Sequence, residues 1–313
     1  MQYEHTRLVY SAAVHATGKK NYIDLTRGLA LINGKNCSQF TNKDKPLTVV
    51  CSIRTTVEDE KVRVAKSTWA VRNACVKAAA AWRRTLRSAG IRGRKRLNTY
   101  ARNPRFAFNE DHSKVWCGLG STGNADIIPG DVPSSYPTGV YTAGDGDEIS
   151  VYAYNNDVSS VPWSSKVVQA FSQTTFAVPQ SGSTDVLDKK ANLLGSLDST
   201  YSNVVAEYID SRINDADIED TDMDDTPSND NDFVMMLAPG EEVADDVLDN
   251  VDDEGKWRPY SMATSTTACT AVLPNANVPG QDTIVEAPLG LLEWDADSTD
   301  SKLVIDIISI HEM

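Results

Sequence analysis

Between Lys61 and Arg105 the chain carries fourteen Lys or Arg side chains and no Asp or Glu. Such a segment cannot enter a core as a whole, because buried cations need partners. It must keep a polar side in water and hide only what is apolar. Val71, Cys75, Ala78, Trp82 and Leu86 recur at spacings of three and four, the stripe of an amphipathic helix. Ser67 or Thr68 would cap its start, and Gly90 suits the left-handed position just past its end. Arg83, Arg84 and Arg87 fall in the last two turns, where cations suit the negative end of the helix dipole. The predicted helix, Thr68 to Ala89, would be roughly 33 Å long. Trp69 and Trp82 would anchor it to a sheet. A basic loop with Arg92, Arg94, Lys95 and Arg96 follows, and Pro104 closes the block.

The opposite charge is also gathered in one place. Glu207 to Glu254 holds nineteen acidic residues and one basic residue, Arg212. The whole chain has 30 basic and 44 acidic side chains in 313 residues, a net charge of -14. That balance argues against a general nucleic-acid binder. Two readings of the basic block stay open. Its cations are simply solvated on a surface helix, or they form a face for a polyanion or for the acidic block of another copy. The second needs direct contact, since free charges are screened beyond roughly 8–10 Å.

Outside the basic helix the chain reads as β. Thr6–Ala16 and Leu47–Thr56 are predicted strands, and Val62–Val64 is expected to pair with the latter. Asn21–Ile32 reads as an extended segment or a strand with a short helical turn. Phe106–Phe108 and Lys114–Cys117 are short strand candidates, with loop from Gly118 to Pro137. Leu187–Leu194 and Ser202–Ile213 are expected to be helical. In the C-terminal third, Thr283–Trp294 is a strand interrupted at Pro288 and Gly290 by a bulge or an edge. Leu303–Ile310 is the final strand, expected to form a hairpin with it. Many short strands, few helices and long polar loops predict an all-β protein with one inserted amphipathic helix. The expected division is 1–162, with the basic helix, and 163–313, with the acidic loops.

Little points to catalysis. The four His (His5, His15, His112, His311) show no metal-binding spacing. No nucleotide-binding or nucleophile-elbow motif occurs. The five Cys are widely spaced without a C-x-x-C pair, as expected of buried free thiols. The Asp-rich stretch offers hard oxygen ligands, so Asp222, Asp224 and Asp225 are candidates for Ca²⁺, although EF-hand spacing is missing. No other cofactor is expected. No run of eighteen apolar residues exists, and Met1–His5 lacks the pattern of a secretory leader.

Five stretches carry a resemblance: Asn21–Lys35, Leu47–Thr56, Ser67–Gly90, Glu286–Trp294 and Lys302–Ile310. Their pattern resembles the major capsid proteins of small DNA viruses and phages, nearest to the lipid-containing single-stranded-DNA phages. It covers about the first 110 and the last 35 residues. The resemblance implies a jelly roll, single or double, and a non-enzymatic subunit that self-assembles into an icosahedral shell in the virion. It implies other copies of the chain as partners, with viral DNA or an internal membrane inside. Arg83, Arg84, Arg87, Arg92, Arg94, Lys95 and Arg96 would then carry interior or inter-subunit contacts. Two alternatives stand beside it: a carbohydrate-binding or hydrolytic β-sandwich using Trp and carboxylates, and a nucleic-acid-binding accessory protein.

Overall fold

The computed structural model describes residues 3–33, 37–41, 43–57, 60–88, 103–116, 123–130, 173–179, 186–198, 200–213, 270–272, 282–298 and 300–313. Among them the chain runs through β1 (Arg7–Ser11), β2 (Asn21–Asp24), α1 (Leu25–Asn33), β3 (Leu47–Thr55), β4 (Lys61–Ala65) and α2 (Trp69–Ser88). It continues through α3 (Glu110–Trp116), β5 (Ala125–Ile127), β6 (Thr175–Pro179), β7 (Val186–Asn192), β8 (Tyr201–Asn203) and α4 (Val204–Ile213). The last strands are β9 (Thr270–Val272), β10 (Thr283–Pro288), β11 (Leu291–Asp295) and β12 (Lys302–Glu312). The protein is mostly β, with several sheets and four described helices rather than one.

The described parts group into two compact units that interleave along the chain. The first draws on Met1–Lys66, Asp111–Gln173 and Ala271–Met313, the second on Ser67–Glu110 and Thr174–Thr270. The expected boundary between 162 and 163 lies outside the described residues.

The first unit is arranged as a β-sandwich. One sheet has the strand order β1-β12-β3-β10, all neighbours antiparallel. The other has the order β5-β2-β11-β4-β9. In β3, Val49, Cys51 and Ile53 turn inward at every second position, and in β12 Leu303, Ile305 and Ile307 do the same. Facing residues of the second sheet include Ile23, Val62, Val64, Leu292 and Trp294, all buried. Period-two burial is what makes the register unambiguous, since a slip of one residue would turn each of these side chains outward.

Three connections differ from expectation. Val62 and Val64 pair with Trp294 and Leu292 of β11, not with β3. The interruption at Pro288–Gly290 is a turn that carries the chain from one sheet to the other, not a bulge. It is closed by the Gly290 amide on the Ala287 carbonyl at 3.0 Å, with Leu289 at φ 57° and Gly290 at φ 71°. Leu289 tolerates the left-handed backbone because its side chain is fully buried and its amide donates to the Leu47 carbonyl at 2.9 Å. Finally, β12 makes no hairpin with β11; it lies between β1 and β3 in the opposite sheet.

Local chemistry explains α1. The Asp24 carboxylate accepts from the amides of Thr26 (2.9 Å) and Arg27 (3.1 Å) and from the Thr26 hydroxyl (2.6 Å), capping the helix. At the other end the Asn33 side chain accepts from the amides of Glu4 and His5 and donates to the Leu29 and His5 carbonyls. Leu25 to Ile32 are all buried.

In the second unit β6, β7 and β8 form a three-stranded sheet, and α2 packs against α4. Residues 187–192, expected to be helical, belong to β7. Lys189 and Ala191 are buried there, and the Lys189 ammonium donates to the Asp198 carbonyl at 3.1 Å. The helix expected across Ser202–Ile213 is present as α4.

Candidate functional site

The basic helix forms as its sequence dictates. The Thr68 carbonyl accepts from the Arg72 amide at 3.0 Å, and the Thr68 hydroxyl takes the Val71 amide at 3.4 Å, so Thr68 is the cap. Val71, Cys75 and Ala78 are buried; Trp82 and Leu86 are half-buried. Trp82 tilts against Phe176 of β6, its ring centre 6.0 Å away. Trp69 meets Tyr208 of α4 edge-on while staying 46% exposed, so it leans on a helix rather than a sheet.

The opposite side of α2 is cationic. Arg72 and Arg87 are exposed, and Arg83 and Arg84 are half-buried. Arg83 donates back to the Ala79 carbonyl at 3.0 Å, which holds its stem along the helix. The Lys77 ammonium sits 5.3 Å from the Tyr208 ring centre, within cation–π range. Arg83, Arg84 and Arg87 therefore share one helix, as expected from the spacing. Arg92, Arg94, Lys95 and Arg96 lie outside the described residues, as do Asp222, Asp224 and Asp225. Among the described residues no group of three metal-ligating side chains is gathered.

The first unit holds a cluster that the sequence reading missed. On the outer face of the β5-β2-β11-β4 sheet, Asp126, Tyr22, Glu293 and Arg63 stand in register across four neighbouring strands. Arg27 of α1 grips the Asp126 carboxylate through both terminal nitrogens, at 2.5 and 2.6 Å, and also donates to the Ile127 carbonyl at 3.0 Å. His112 of α3 is fully buried between two rings. Tyr22 stacks on one side at 4.7 Å and Trp116 on the other at 5.0 Å. The His112 Nε2 lies 3.4 Å from the Asp126 carboxylate. Farther along the row, Arg63 pairs with Glu293 at 2.5 Å and Lys20 with Asp295 at 2.7 Å.

The electrostatics follow from this geometry. Burial alone would raise the Asp126 carboxyl, but the Arg27 guanidinium and the His112 imidazole outweigh it and hold the group well below the usual carboxylate range. Burial would likewise depress Arg27, and Asp126 reverses that. The Tyr10 phenol, enclosed beneath α1, is pushed up by burial. The stack explains why Lys114–Trp116, expected to begin a strand, is helical, while Cys117 lies outside the described residues. Helical spacing puts His112 and Trp116 on one side, four residues apart, so both can reach the sheet. Closed on both ring faces, His112 acts as an internal brace between α3 and the sheet. The one available signal was Asp24-x-Thr26, a helix cap directly after a strand.

Comparison of the chain with family models, with curated proteins and with solved structures finds no match.

Proposed function

We propose that this chain is a structural subunit of a viral shell, built on a jelly roll. The observation that carries the reading is the strand order. Taken along the chain, β1, β3, β10 and β12 fall in one sheet and β2, β4, β9 and β11 in the other. The first strand lies beside the last, and the third lies between the last and β10. That order supports a plan of two nested Greek keys, a jelly roll, the arrangement used by viral capsid and lectin domains and by cupins. The β5 strand, parallel to β2 at one border, is an addition to that plan. The second unit enters as an insertion between β4 and β9.

Charge separation favours the shell among these uses. A shell subunit meets many copies of itself through unlike surfaces. A cationic helix face and a strongly acidic stretch on one chain give such contacts polarity and register. The cations of α2 would serve neighbouring copies or the shell interior, where viral DNA or a membrane would lie. The reading requires no catalytic group and no cofactor.

The test is the size of the purified protein by light scattering and electron microscopy across salt concentration, with and without Ca²⁺. Large closed particles or symmetric rings that come apart at high salt are expected. A monomer under every condition overturns the reading.

A further inference from the structure

The two most exposed large apolar side chains among the described residues are Ile284, 69% exposed, and Ile308, 55% exposed. Both sit at open borders of one sheet. Ile284 lies on β10, which pairs with β3 on one side and with no described strand on the other. Ile308 lies on β12 where the pairing with β1 stops. β1 accompanies β12 from Lys302 to Asp306, and the Thr6 carbonyl then takes the Ile307 amide at 2.9 Å. Beyond that rung no described strand covers the β1 side of β12. The register with β3 also shifts between Ile307 and Ser309, a bulge that turns Ile308 out of the ladder.

This open half-edge borders a groove of about 530 Å³. Residues Ile307 to Glu312 form one wall, and Tyr3, Cys37, Phe40 and Lys43 contribute to the rest. Two lysines meet one glutamate at its rim. Lys45 donates to Glu312 at 2.7 Å, and Lys43 adds a second cation beside the same carboxylate. The border at β10 is complementary. Asp282, Ile284 and Glu286, spaced two apart, are all exposed, so one face presents an apolar side chain between two acids, of which Asp282 is bound by Arg54 at 2.6 Å. Natural sheets usually protect open edges with charge, bulges or cover. Here β10 carries acids and β12 a bulge, and each edge still shows an exposed isoleucine.

We propose that β10 of one copy docks along the open half of β12 of a second copy. Ile284 then packs near Ile308, and Glu286 meets Lys43, beside the Arg54–Asp282 and Lys45–Glu312 pairs that each copy already holds. The mode is strand addition, in which main-chain hydrogen bonds hold and alternate side chains select. The contact joins two different surfaces, so it passes from copy to copy and closes where the rotation closes. The choice of a second copy as the occupant rests on the shell reading.

The experiment compares the full chain with Ile284→Glu and Ile308→Glu by sedimentation velocity, each checked for folding by thermal melting. Each variant spoils one edge and keeps the other. Each alone is expected to stay monomeric, with association weakened at least tenfold. An equimolar mixture is expected to form dimers and stop, because one intact β10 meets one intact β12. Variants that assemble like the wild type, or a mixture that stays monomeric, overturn the contact. Closed shells formed equally by all three leave the shell reading standing without it. Short chains or small rings that both variants abolish keep the contact and remove the shell. A wild type that remains monomeric removes both. Should a glutamate variant fail to fold, Thr at the same position, which suits a strand, carries the test.

Discussion

Arg27 and Arg87 illustrate two ways of using the same side chain. Arg27 is 8% exposed, gripped by Asp126 and set beside the ring of Trp116 at 5.8 Å. Arg87 is exposed near the end of α2. Around Arg27 the charges are matched by geometry, and removing one partner strands another in low dielectric. Around Arg87 the charges face water, where an individual ion contributes little to folding. The buried region therefore reports on stability and the exposed one on association.

The largest effect is expected from Asp126→Asn. It keeps the shape but leaves the Arg27 guanidinium without its counter-charge, and breaking a buried pair typically costs about 3–5 kcal/mol. Urea unfolding at pH 7 should show the loss, and Arg27→Met together with Asp126→Asn should recover part of it. The pH dependence has a definite sign. Asp126 is held below its unfolded value of about 3.9. Its contribution is complete above that value and is lost as pH falls through the lower folded value. The wild type should thus keep its advantage over the variant from pH 7 to about pH 5 and lose it progressively below about pH 4. An equal gap at pH 3 would show that the pair is not what the substitution removes.

A packing change comes next. Gly28 of α1 lies against the rigid end of the fully buried Tyr10. An added Cβ would stand 2.4 Å from the Tyr10 oxygen, 3.1 Å from Pro129 and 3.3 Å from Leu8. Gly28→Ala should cost about 1–3 kcal/mol through overpacking, despite the better helix propensity of Ala. Adding Tyr10→Phe, which removes the crowding oxygen, should restore part of that. A Gly28→Ala protein as stable as the wild type would mean that Tyr10 has room to move.

Glu60 reverses the rule of the buried region, because no cation among the described residues pairs with it. Its carboxyl is fully enclosed, and burial raises it above the ordinary value, against the lowering effects of Ser301, Trp294 and the Asp297 backbone. A raised folded value means that the group favours folding most when protonated. That advantage fades as pH rises through the folded value. Glu60→Gln should therefore stabilise the protein at pH 7 by about 1 kcal/mol, the size of one net hydrogen bond. The gain should vanish below pH 4. Thermal melts at pH 7 and pH 4 decide it, and a loss at pH 7 would mean that the ionised group is well solvated by its partners.

Legibility in the sequence divides along the same line. The helix α2 was readable almost to the residue, because its apolar stripe, cap and dipole-matched cations all agree on one answer. Strands β3 and β12 were readable because their inward positions alternate. The turn at Leu289 was not, since a left-handed Leu is paid for by tertiary burial that no local pattern announces. Nor was β7, where Lys189 sits at a buried position and breaks the expected alternation. The cluster around His112 was invisible for another reason. Tyr22, Arg27, His112 and Asp126 come from four separate elements, and none belongs to a spaced motif. The charge-separated blocks were plain in the sequence, but what they touch depends on surfaces beyond one chain.

The smallest effect on stability, and the sharpest on the comparison, is expected from replacing Arg83, Arg84 and Arg87 together by Ala. Ala keeps helix propensity, and the losses include the cations' interaction with the helix end and the Arg83 bond to the Ala79 carbonyl. Each should shift stability by no more than about 0.5 kcal/mol. If these cations hold neighbouring copies or a polyanion, assembly should nevertheless fail or come apart at a markedly lower salt concentration. Light scattering against a salt gradient separates the two quantities, with urea unfolding as the control. Unchanged assembly would return the face of α2 to solvent and leave the acidic stretch without this counterpart. A large loss of stability would instead show that these arginines act within the fold, as Arg27 does, and the division between the two regions would fall.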